Sequence, residues 1–154
     1  MATDKASTDG IGIRYGIIAS VFMIIYFIVI NLIGLQNVEE VRFLSHVFII
    51  IAVILAIGTF KRASGGRVPY LPGLGIGFIT GLVGSVIYAG FIYLYANLIN
   101  QDYQNTLRTQ DYFGSFLSPF TLFAAITLLG VATGAMTGYI LMMLYDKSGG
   151  ESPK

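Results

Sequence analysis

His46 is the only histidine in the chain, and imidazole is the side chain best suited to carry a proton or a metal near neutral pH. As a haem ligand it would need a second histidine, which the sequence lacks. The simpler reading is an interfacial polar side chain bonded to a neighbour. Glu39 and Glu40 could attract cations, yet adjacent helical residues do not share a face, so two solvated loop carboxylates explain them as well. Asp102 and Asp111 read the same way. Asn31, Asn97, Asn100 and Gln101 could line a polar vestibule or simply cap and bridge helices. Lys61, Arg62 and Arg67 could hold an anionic lipid headgroup, or serve only to set topology.

Several chemistries are excluded. With no cysteine, disulfides, iron–sulfur clusters and thiolate zinc sites are impossible. Gly73-x-Gly75-x-Gly77 lacks the spacing and preceding strand of a nucleotide loop. A formal net charge of +1 is too small for a nucleic-acid surface. The long apolar runs contain no Asp, Glu, Lys or Arg, the groups that pumps and voltage sensors place at membrane depth. Ser20, Ser85 and the nearby threonines have no base at their level, so no nucleophile is activated. No cofactor and no enzymatic activity are expected.

These residues are positioned by four uncharged runs, Tyr15 to Val38, Phe43 to Phe60, Val68 to Gln101 and Tyr112 to Tyr145. A membrane-crossing helix needs about 20 residues. The 154-residue chain is 55% hydrophobic and only 11% charged, against about one quarter charged in soluble domains. One charge at mid-membrane costs about 2.5 to 3.5 kcal/mol, offsetting about six apolar residues. The expectation is a single domain over 1–154, an all-α bundle of four transmembrane helices at about 13–35, 43–60, 73–99 and 119–145. The first run is too long for a secretory signal and has no cleavage site.

Lys5, Arg14, Lys61, Arg62, Arg67, Lys147 and Lys154 fall on one side of this weave, and only Arg42 and Arg108 on the other. Cytoplasmic loops are rich in Lys and Arg, so both termini are expected in the cytoplasm. Tyr15, Phe60, Tyr70 and Tyr145 mark the inner border. Phe43, Tyr93, Tyr95, Tyr112 and Phe113 mark the outer one, since such rings favour the headgroup level.

Spans 1 and 2 suit lipid contact on most of their surface. Spans 3 and 4 differ. Gly73, Gly77, Gly81, Ser85 and Ala89 recur every fourth residue, as do Gly130, Gly134 and Gly138. This spacing builds a ridge of small residues along one helix face, and such ridges allow close backbone contact in lipid. Either the two spans pack together or each ridge meets a partner subunit. Span 4 is the least apolar and is expected to be the most buried. The inner loop Lys61 to Pro72 has turn composition. Ser118-Pro119 reads as an N-cap and first helical residue, and the stretch 100–118 could form a short interfacial helix. Gly16-Ile17-Ile18-Ala19-Ser20-Val21 faintly echoes Gly81-Leu82-Val83-Gly84-Ser85-Val86, a spacing that would suit a parallel repeat.

A first span beginning Tyr15-Gly16-Ile17-Ile18, a second ending Phe60-Lys61-Arg62, a glycine-containing inner loop and a third span opening through Gly73 and Gly77 resemble domain-of-unknown-function family 4199. The resemblance covers about Ile13 to Lys147. It implies a four-helix bacterial inner-membrane protein and assigns no activity and no functional residues. The expected role is that of a non-catalytic accessory or scaffold subunit whose partners are membrane lipids and other membrane subunits or itself. The alternative is an oligomeric transporter or channel for a small neutral or amphipathic solute.

Overall fold

The computed structural model describes residues 7–35, 38–99, 102, 105 and 118–148, with backbone alone at 39 and 146–148. Helix α1 spans Thr8–Ile33 and α2 spans Glu39–Phe43. A 3₁₀ turn at Leu44–His46 joins α2 to α3, Val47–Ala63. Helix α4, Tyr70–Leu94, runs into a π turn at Tyr95–Ile99, and α5 spans Pro119–Ser148. The segments Thr8–Ile33, Glu40–Ala63, Tyr70–Ile99 and Pro119–Tyr145 are each long and apolar enough to cross a membrane. The protein is therefore an all-helical, four-span bundle.

Local chemistry sets the helix ends. Ser7 accepts from the Gly10 amide at 3.1 Å, which starts α1 five residues ahead of the expected border. Gly34 ends it with φ 82°, and Leu35 N donates to Ile30 O at 2.9 Å. Such a left-handed residue is cheap only for glycine. Gly65 and Gly66, with φ 67° and 94°, turn the chain between α3 and α4. Ser118 accepts from Thr121 N at 3.1 Å and caps α5 as its place before Pro119 predicts. The expected loop Gln36 to Arg42 is shorter than its uncharged boundary suggests, because α2 already winds from Glu39. The interfacial-helix reading of 100–118 lies outside the described residues, apart from helical Asp102 and Asn105.

Helix α4 is the centre of the bundle. It packs most extensively against α5, then against α1, and α3 touches the other three spans. Met23, Phe27, Ile49, Val53, Ile57, Ile76 and Met142 fill the middle and are fully buried or nearly so. Half of the most apolar window of α4 is buried, against 17% for α5. This corrects the expectation for span 4. It is the least buried span, because its buried glycines serve a single contact face while Thr121, Ala124 and Ala132 lower its hydropathy on the exposed side. The buried position goes to α4, whose small residues lie on two faces.

A methyl group on Gly77 would lie 2.6 Å from Gly134 O and 2.9 Å from Gly138 Cα. These are backbone atoms and cannot move aside. Gly77→Ala should therefore force α4 and α5 apart and lower stability by about 1 to 3 kcal/mol. Gly90, with no atom within 4 Å of an added methyl, should tolerate alanine with no loss. Reversible unfolding in mixed micelles of mild detergent and dodecyl sulfate measures both.

Candidate functional site

The feature with the most specific geometry is the pair of faces on α4. Gly73, Gly77, Gly81, Ser85 and Ala89 are all buried and form the first face. A methyl on Gly81 would lie 2.6 Å from Gly130 O and 3.0 Å from Gly134 Cα. Gly73 lies against Met142, and Gly130 against Ser85 and Ile49. The two ridges thus face each other within one chain. Ser85 Oγ is 2.6 Å from Gly81 O and 3.2 Å from Thr127 O. Its one proton is shared between its own helix and α5.

The second face carries Ile76, Thr80 and Gly84, all buried, and it meets α1. A methyl on Gly12 would lie 2.8 Å from Ile79 Cγ2, and one on Gly16 3.0 Å from Thr80 O. Thr80 Oγ1 donates to Gly12 O at 3.3 Å. Sequence reasoning did not extend the ridge argument to α1, although Gly12, Gly16 and Ser20 stand at the same four-residue spacing. Gly16 and Gly84, both inside the echoed segments, touch at this crossing.

Among the described residues, the polar side chains at the outer end do not converge. Tyr26 OH donates to Val41 O at 2.7 Å and ties α1 to α2. Ser45 Oγ donates to Arg42 O at 2.8 Å and lies 3.4 Å from His46 Nδ1. His46 Nε2 is buried without a hydrogen-bond partner among the described residues. Asn97 Nδ2 donates to Tyr93 O at 2.7 Å, within its own helix. Asn100, Gln101 and Asp111 lie outside the described residues, as does the Glu39 side chain. Tyr95 is not the border residue its position suggested. It is 8% exposed and packs edge-on to Phe27, with ring centroids 5.0 Å apart. Among the described residues, no group of three or more His, Asp or Glu gathers as a metal site.

At the inner end, Tyr15 OH and Thr59 Oγ1 are hydrogen-bonded at 2.7 Å, joining α1 to α3. Lys61 Nζ lies 4.1 Å from the centre of the Tyr145 ring, joining α3 to α5. Tyr70 and Tyr139 meet edge to face at 6.4 Å. Arg62 and Arg67 are exposed.

Residues 14–112 match the family described as protein of unknown function (DUF4199). The chain belongs to this family. The matched stretch takes in α1 from Arg14 onward and all of α2 to α4, including Gly16 of the α1–α4 crossing, and ends ahead of α5. The comparison with curated proteins and that with solved structures each found no match.

Two substitutions probe these polar contacts in this member of the family. Ser85→Ala removes the shared interhelical bond and should cost about 0.6 kcal/mol, the usual size of such bonds in membranes. His46→Leu removes an Nε2 with no partner among the described residues, together with the ring's contacts to Ser45 and Phe43, and should leave stability within about 1 kcal/mol of the parent. Unfolding equilibria of the purified variants decide both.

Proposed function

We propose that the protein is a non-catalytic subunit of the bacterial inner membrane, with both termini cytoplasmic, that scaffolds or stabilises a larger membrane assembly or a homo-oligomer. The observation that carries this reading is the exposure of α5. It is the least hydropathic span and also the least buried, the reverse of what a lipid environment favours. Its exposed stripe runs through Thr121, Ala124, Leu128, Ala132, Met136 and Ile140, at the three- and four-residue spacing of one helix face. Thr121, Ala124 and Ala132 on this stripe are small, and small side chains suit contact with another helix better than contact with lipid tails. The glycine ridges themselves are already occupied inside the chain, so the partner surface is this outer stripe. Orientation follows from the seven-to-two division of basic residues.

Transport by a single chain is less well supported, because apolar side chains fill the middle of the bundle. Native mass measurement after extraction in a mild detergent tests the assembly reading. The expected result is a mass above that of one 16.7 kDa chain, from extra copies or a co-purifying membrane protein. Ala132→Phe should reduce that association while leaving the unfolding transition in place. A lone monomer with no companion protein would overturn the reading.

A further inference from the structure

The exposed side of the seam between α1 and α3 ends at Arg14 and Arg62, both exposed. Tyr15 and Thr59 are bonded across this seam at 2.7 Å, which fixes the relative depth of the two helices. At 1.5 Å per residue, Arg14 lies about 1.5 Å and Arg62 about 4.5 Å further toward the α3–α4 turn. The two guanidinium stems therefore leave the bundle at one level.

They also leave on one side. On α1, Phe22 stacks on Phe48 of α3 with ring centroids 6.1 Å apart, while Gly12 and Gly16 turn toward α4. Arg14, Ile18 and Ile25 share a stripe beside Phe22, and all three are exposed. On α3, Arg62, Leu55, Ile51 and Phe48 follow one another at helical spacing. Leu55 and Ile51 are 54% and 47% exposed. The result is an apolar trough with a basic mouth, closed toward the far side by the Phe22–Phe48 pair.

Among the described residues, neither Arg14 nor Arg62 pairs with a carboxylate. Asp9 is exposed and lies one and two turns from Gly12 and Gly16 on the face that meets α4. Among the described residues, the trough therefore has local positive charge without a carboxylate partner.

We propose that this trough binds one anionic phospholipid, its headgroup phosphate held by Arg14 and Arg62 and an acyl chain lying along Ile18, Ile51 and Leu55. Guanidinium groups match phosphate oxygens in fork geometry, and basic pockets between membrane helices recognise anionic headgroups. The requirement for an acyl chain excludes free phosphate as the ligand. The proposal is independent of the assembly reading, which concerns α5.

The chain has no tryptophan, so one introduced residue reports its own lipid neighbours. Ile18→Trp places the probe in the trough. Leu82→Trp places it on the lipid face of α4 within about 5 Å of the same depth, since Val83 packs on Gly16. The full chain is reconstituted in vesicles of phosphatidylcholine and phosphatidylglycerol, with bromine on the acyl chains of one lipid at a time. Quenching at Ile18→Trp should favour the glycerol lipid at least fivefold, the factor that a single basic group near the surface already confers. At Leu82→Trp it should show no preference. Arg14→Gln with Arg62→Gln should abolish the preference, and paired lysine replacements should retain part of it. Equal preference at both probe sites, or preference that survives the double glutamine variant, would overturn the proposal. Should that variant fail to fold, the contrast between Ile18→Trp and Leu82→Trp decides alone. Leu55→Trp, across the trough, replaces the first probe if it perturbs folding.

Discussion

Close approach of backbones along α4 is the constraint on which the bundle depends. In lipid, apolar burial gives little drive for one helix to leave the tails for another, so association relies on dispersion contact and a few hydrogen bonds. Dispersion falls steeply with separation. Glycines on α4 and α5 remove the side chains that would hold the axes apart, and Ser85 and Thr80 each add one interhelical hydroxyl contact. Because α4 bears small residues on two faces, it holds α1 and α5 at once. Helix α3 then closes the bundle through larger side chains such as Ile49, Val53 and Ile57.

Much of this was legible in the sequence. Charge-free runs gave the four spans because a buried charge costs more than several apolar residues return. The four-residue recurrence in spans 3 and 4 located one face of α4 because helix geometry turns that spacing into a ridge. Two things were not legible. Gly12 and Gly16 sit in a strongly apolar helix, so their spacing was masked by the lipid-facing residues around them. The burial of span 4 was misjudged because composition reports how apolar a helix is, while burial depends on how many of its faces have neighbours. Thr121, Ala124 and Ala132 lower the hydropathy of α5 without burying it in this chain.

The candidate site shows a similar division. His46, the most conspicuous residue by type, is half-buried beside Ser45 and gathers no other ligand among the described residues. Tyr95, assigned to the membrane border by its position, lies in an aromatic cluster with Phe27 and Phe91. Position along a span gives depth, but the face a residue occupies is set by the neighbours, and a π turn at Tyr95–Ile99 changes the angular step at that point. The inner basic residues behave differently from one another for the same reason. Lys61 is held over Tyr145, whereas Arg62, one residue on, points to a different side.

The position of α4 as the third of the four spans has a consequence for biogenesis. The groove on α1 formed by Gly12 and Gly16 can be filled only when residues 76–84 have been synthesised and inserted. Until then the first hairpin carries an open notch in the bilayer, closed on one side only by contacts such as Tyr15 with Thr59 and Phe22 with Phe48. Closure of the bundle thus needs two ordered contacts, α1 with α4 once the third span is in place and α4 with α5 once the fourth follows.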